Sequence, residues 1–184
     1  MKKLLLIISL FISSLGISQK VEGTEVGVDG FFGASTMGGS FGIGVRYGWK
    51  FNEYFIAGPL VRYQRYWTNN TFTGQKFSYN AYGAGVFGHA RFGNVLFLGA
   101  EIEFMRSPLT TFGAVSSNGV LAPAAFLGGG FSREFNESIR INAGIFYDVI
   151  NHANSPFRNG YFMKRANGSY IPAIYRIAFF FPLS

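Results

Sequence analysis

The chain has no cysteine among its 184 residues. That absence excludes a disulfide scaffold, a thiolate metal centre and a lipid-modified N-terminal cysteine. Histidine is almost as scarce: His89 and His152 stand alone, far apart in the chain, so no two-histidine metal site is expected. With only 6 prolines, the 25 glycines do not mark a collagen-like or Pro/Gly-rich disordered tract. Long apolar runs are missing as well. Beyond residue 18 no segment reaches the roughly twenty apolar residues that a membrane-spanning helix requires, so any crossing would be by strands. Acids are outnumbered, 9 against 16 lysines and arginines, for a formal charge of +7. No basic run is interleaved with aromatics as a nucleic-acid groove demands, and no nucleic-acid partner is expected.

What is present begins with a leader. Met1, Lys2 and Lys3 form a positive start, residues 4–12 an apolar core, and residues 13–18 a small and polar tail. This pattern predicts a cleaved secretory signal peptide over 1–18, with Gly16 and Ser18 preceding a cut before Gln19. Loss of Lys2 and Lys3 leaves the mature chain, 19–184, at +5. Its length bounds it to one domain.

The most informative stretch is SFGIGVRYGWKFNEYFIAGPLVRYQRYW, residues 40–67. Phe41, Ile43, Val45, Tyr47, Trp49 and Phe51 alternate with Gly42, Gly44, Arg46, Gly48 and Lys50. After Asn52-Glu53 the period of two resumes, with Phe55, Ala57, Pro59, Val61 and Tyr63 against Ile56, Gly58, Leu60, Arg62 and Gln64. Two strands and a hairpin follow. One face is greasy; the other carries glycine and charge. A water-soluble barrel would turn the greasy face inward, whereas a membrane barrel turns it toward lipid.

The hairpin recurs. Phe51-Asn52-Glu53-Tyr54-Phe55 is echoed by Phe92-Gly93-Asn94-Val95-Leu96 and by Phe135-Asn136-Glu137-Ser138-Ile139, the leading phenylalanines being 41 and then 43 residues apart. Short turns thus alternate with longer polar segments. Beside this hairpin, further strands are predicted over 23–32, 77–92, 95–105, 120–134, 138–149 and 170–183. In the first, Glu25 and Asp29 face inward. In the fourth, Phe87 and His89 do, and in the fifth Phe97, Glu101 and Glu103. The sixth strand is ambiguous as to face and is expected to bend or bulge at Gly128, Gly129 and Gly130. Arg140, Phe146 and Asp148 face inward on the seventh; on the last, Arg176 faces inward and Ala173, Tyr175, Ile177, Phe179 and Phe181 outward. The long connections are expected at 33–39, 68–75, 106–119 (with Pro108 ending the pairing) and 150–169.

Eight strands bring the mature N-terminus and the C-terminus to one side, so the last can pair with the first and close an all-β, antiparallel, up-and-down transmembrane barrel. The pattern resembles the small eight-stranded outer-membrane barrels of the OmpA and OmpX type, and in flavour the Bacteroidota outer-membrane barrel proteins. The resemblance covers the whole mature chain and rests on pattern. It implies a cell outer-membrane location, short periplasmic turns and longer extracellular loops. The aromatic-rich last strand is similar to the targeting signal of such barrels, although it ends Pro182-Leu183-Ser184 rather than on an aromatic residue.

Inside so narrow a barrel, charges must pair. Asp29, Arg46, Arg62, Glu101, Glu103, Arg140 and Arg176 are expected to form an interior network that plugs the bore. No cofactor or metal is expected, and no catalytic residue is assigned. The one enzymatic alternative is a lipid A-modifying acyl hydrolase or transferase. It would rest on His152, Ser155 and Asp148, and their spacing matches no acyl-transfer motif. Expected partners are outer-membrane lipid, lipopolysaccharide and other outer-membrane proteins, met through Arg65, Trp67, Arg158, Lys164 and Arg165. The function expected is therefore non-enzymatic: a structural or interaction protein, or an accessory subunit of a larger outer-membrane complex.

Overall fold

The computed structural model describes residues 21–35, 38–69, 76–109, 115–135 and 138–183. The expected leader, 1–18, lies outside them, as do parts of the first three long connections and Asn136 and Glu137 of the third short turn. Period-two alternation becomes β1 (Gly23–Ser35), β2 (Gly38–Lys50), β3 (Phe55–Asn69), β4 (Lys76–Phe92), β5 (Leu96–Leu109), β6 (Val115–Phe135) and β7 (Ile139–Asp148). A short ribbon, β8 (Met163–Lys164) with β9 (Tyr170–Ile171), precedes β10 (Ala173–Leu183). Strands β1 to β7 and β10 close one antiparallel barrel in the order β1-β10-β7-β6-β5-β4-β3-β2.

The turns have local causes. Asn52 Oδ1 accepts the backbone N–H groups of Tyr54 and Phe55 at 2.9 and 2.7 Å, an Asx turn that reverses β2 into β3. At the next short turn Gly93 takes φ +59°, a conformation open to glycine.

Polarity is inverted relative to a soluble barrel. Val45, Val61, Ile102, Phe131 and Ile177 are exposed, while Arg46, Arg62, Glu101, Glu103 and Arg176 are buried. Among the described residues no outward position on the wall is an aspartate or glutamate. The water-soluble arrangement, with Val45, Ile102 and Ile177 in a central core, is not the one adopted.

Four sequence expectations are corrected. Strand β6 runs in unbroken register through Gly128, Gly129 and Gly130 and buries its even positions, among them Ala122, Ala124, Phe126 and Ser132. The irregularity falls instead between Ser107 and Leu109. Proline 108 lacks an N–H, and the pairing shifts around it rather than stopping there. The last strand does not begin at 170: Tyr170 and Ile171 pair with Lys164 and Met163, Pro172 interrupts, and the barrel strand starts at Ala173. Ala173 is buried rather than outward-facing, because the 150–169 connection folds over it and Phe162 N–H donates to its carbonyl at 3.4 Å.

The closing seam is short. Pairing of β1 with β10 runs from Thr24↔Leu183 to Gly30↔Ile177 and stops, although β1 stays paired to β2 as far as Ser35↔Gly38. Above that point Tyr175 bridges the two strands with its side chain, donating its hydroxyl to Phe32 O at 2.6 Å.

Candidate functional site

Alternation on five strands, β1, β2, β3, β5 and β10, aims six charged side chains at one level of the bore. They form a closed ring of alternating sign. Asp29 binds Arg46 (2.7 Å) and Arg62 (2.6 Å). Arg46 reaches Glu101 (2.6 Å), Glu101 binds Arg176, Arg176 reaches Glu103 (2.8 Å), and Glu103 returns to Arg62 (2.7 Å). Each acid holds two arginines and each arginine two acids. Three charges of each sign cancel, so the ring satisfies itself with no counter-ion, the condition under which buried charge is tolerated.

Glycine makes the space. A Cβ on Gly44 would lie 2.5 Å from Asp29 Oδ2 and 3.0 Å from Arg62 Nη1. The inward glycine on β2 is therefore part of the ring's geometry. Aromatic rings pack its flanks: the Arg46 guanidinium lies 5.3 Å from the Phe87 centroid, and that of Arg176 lies 4.5 Å from Phe126. Glu103 is 0% exposed, Arg46 1% and Arg62 3%. Water reaches the ring from neither end to any extent.

Arg140 is not part of this ring. It stands near the start of β7, by the short turns, where it pairs with Glu134 across the β6–β7 hairpin and donates to Ser132 Oγ at 3.1 Å. A position so close to the strand end cannot reach the level of Asp29. Two inward charges were missed in the sequence. Arg91 forms a fork with Glu25, at 3.0 and 2.8 Å, and Glu134 is the partner of Arg140. Arg91 was legible, since it continues the alternation Phe87, His89 by one more step.

The 150–169 connection does not simply line a rim. A single 3₁₀ turn, Pro156–Gly160, carries Phe157 down into the bore, where it is 1% exposed, edge-on to Phe126 at 4.8 Å and 5.6 Å from the Arg176 guanidinium. Tyr161 follows it in, donating to Asp148 Oδ2 at 3.0 Å. Burial, then the adjacent carboxylate, pushes its phenol well above the ordinary value. Phe162 and its neighbour Met163 remain exposed.

Acyl transfer would rest on Asp148, His152 and Ser155. Asp148 Oδ1 accepts the N–H groups of Ile150 and Asn151, and Oδ2 accepts Tyr161. His152 Nδ1 accepts the N–H of Asn154, and Ser155 Oγ is buried with no hydrogen-bond partner. Among the described residues no side-chain hydrogen bond joins the three.

The expected contact residues fall into two sets. Arg65 is exposed on the outer face of β3, and Trp67, two positions on, packs its ring 6.4 Å from Phe32. Arg158 and Arg165 are exposed in the connection before β10, with Arg158 donating to Asn151 Oδ1 at 3.2 Å. Lys164 lies in the ribbon, paired with Tyr170. Strands β1 and β2 separate the two sets around the barrel. No family model matches the chain, and neither the curated proteins nor the solved structures compared with it give a match.

Proposed function

We propose that this chain is a bacterial outer-membrane barrel with a sealed interior, serving as a structural or interaction protein through its wall and its long connections rather than as a pore or an enzyme. One observation carries the reading: an apolar, acid-free outer wall encloses an ion-paired, dehydrated bore. A soluble monomer rarely exposes apolar patches beyond a few hundred Å². Here the exposed large apolar residues come from every strand of the barrel, Phe32, Val45, Val61, Val86, Leu98 and Leu127 among them. In lipid that wall is solvated by acyl chains, and closure leaves little backbone unpaired, the requirement for strands in a bilayer.

The test is partition. Expressed with its leader in a Gram-negative host, the protein is expected in the outer-membrane fraction, resistant to carbonate extraction, and shifted on unheated gels relative to boiled samples. A chain that is monomeric and soluble without detergent overturns the reading.

A further inference from the structure

Strand β1 is paired along its whole length on one side and only in part on the other. Toward β2 the pairing runs to Ser35↔Gly38, but toward β10 it ends at Gly30↔Ile177, and no described strand stands against that edge of residues 31–35. Above Ile177, β10 is paired to β7 alone. A notch is left in the wall. One side chain spans it: Tyr175 donates its hydroxyl to Phe32 O at 2.6 Å, and the Phe162 ring stands edge-on to Tyr175 at 5.9 Å. On the bore side Phe31, Phe157, Gly160 and Ile174 leave about 10 Å³, no more than one water fills. The notch is closed inward and opens only outward.

Outside, it continues into a groove of about 680 Å³. The register sets the walls: Ile43 and Ile177 flank Gly30 in one row, Phe41 and Phe32 stand in the row above, and Val28 and Phe179 in the row below. Gly30 is the floor. Nothing else in the fold requires glycine there, because its φ is not positive and an added Cβ would meet only Gly42 O, at 3.3 Å. Gly44 is the contrast, since the same atom there would strike Asp29 Oδ2 at 2.5 Å. No lysine or arginine lines the groove, and its one acid, Asp29, is turned into the ring. An occupant is therefore uncharged over this length.

Two features then select a ligand. The groove offers apolar side chains, and the notch above it offers a backbone edge without a strand partner, which is costly in hydrocarbon unless a polar group meets it. A glycerolipid has that order of groups, an acyl chain ending in an ester carbonyl. A further strand does not fit: pairing on both sides would place it about 4.8 Å from each neighbour, where the Tyr175 side chain already stands.

We propose that the β10–β1–β2 seam binds one membrane glycerolipid, its acyl chain laid over Gly30 between Ile43 and Ile177 and its ester carbonyl accepting an N–H from the open edge of β1 beside Phe32. The proposal rests on the membrane reading above and names a ligand for one place on the wall.

Native mass spectrometry of the full chain, folded in a neutral maltoside detergent, tests it with dioleoyl phosphatidylcholine as probe and its di-ether analogue, which lacks the carbonyls, as control. One diester lipid is expected to stay bound per chain, with the ether lipid about threefold weaker for the lost hydrogen bond. G30L, which lifts the chain off the floor, is expected to weaken the diester at least tenfold, and G30A to fall between. A84L, on the outer face of β4, is expected to change nothing. Unheated gel mobility checks that each variant is folded. Equal losses in G30L and A84L would mean that lipid coats the wall without a site, and would overturn the proposal. So would binding indifferent to G30L, an ether lipid held as tightly as the ester, or a dimer of the chain that excludes lipid and so gives the seam to a second copy. A chain that needs no detergent and takes up no lipid sinks the membrane reading itself, a separate result.

Discussion

Removing one residue of the ionic ring is not equivalent to removing a salt bridge. Arg62 is the shared partner of Asp29 and Glu103, so R62M leaves two buried carboxylates with one fewer cation between them. Uncompensated buried charge typically costs about 3–5 kcal/mol. R62M is therefore expected to lose about that much in urea unfolding from detergent micelles. The neutral double variant R62M/D29N keeps the chain Glu103–Arg176–Glu101–Arg46, two charges of each sign, and is expected to recover at least half of the loss. A double variant as unstable as the sum of its singles would mean that packing around Gly44, rather than charge balance, sets the stability at this level. The ring's members were legible from the sequence because each is the inward step of a strict alternation. Counting residues up from the short turns also puts Asp29, Arg46, Arg62, Glu101, Glu103 and Arg176 near one level; which acid takes which arginine was not legible, since neither period nor height orders the partners around the bore.

At the scale of elements, the eight wall strands follow from alternation and short-turn chemistry, while the segment before β10 does not. Residues 150–169 have no period, and their aromatics suit a rim as well as a plug. What decides for the bore is the room left at and above the level of Glu103 by Ala124 and Ala122, together with Asp148, whose Oδ2 is available to Tyr161. The upper β1–β10 seam was equally hidden: alternation on both strands continues past Gly30 and Ile177, yet pairing ends there. The docking of Tyr161 also makes the plug sensitive to alkali. Its folded-state pKa is raised above the ordinary value of 10.0, so the docked form binds the phenolic proton more tightly than the released form. That contribution is fully present below pH 10 and is lost as pH rises through the folded value. Because the chain has no cysteine, a single spin label at A153C can report the plug. Its mobility is expected to rise only above pH 10. In Y161F the plug is somewhat looser at neutral pH, by about 0.5–1.5 kcal/mol for the lost hydrogen bond, and the alkaline transition is absent. A wild-type trace that stays flat through strongly alkaline pH would contradict this docking.

For the whole molecule the question is whether anything passes through it. An eight-stranded barrel leaves an interior about wide enough for its own side chains, and here that space is used twice. The ring of three arginines and three acids closes the middle, and Phe157 and Tyr161 close the long-connection end. These barriers are in series, so each predicts its own outcome in planar bilayers. The wild-type chain is expected to give no steady, reproducible conductance. Replacing residues 153–169 by a short glycine-serine link removes the upper barrier alone, and since the six ion-paired side chains still fill the cross-section, the trace is expected to remain flat. Adding R62A, E103A and R176A to that deletion takes away two arginines and the carboxylate that joins them, leaving Asp29, Arg46 and Glu101 with two acids against one base. The widened bore then carries a net negative charge, and small cation-selective steps are expected. Steady current through the wild type, or through the deletion with its ring intact, would show that the ring does not seal the barrel, and the interior would have to be treated as an ion path.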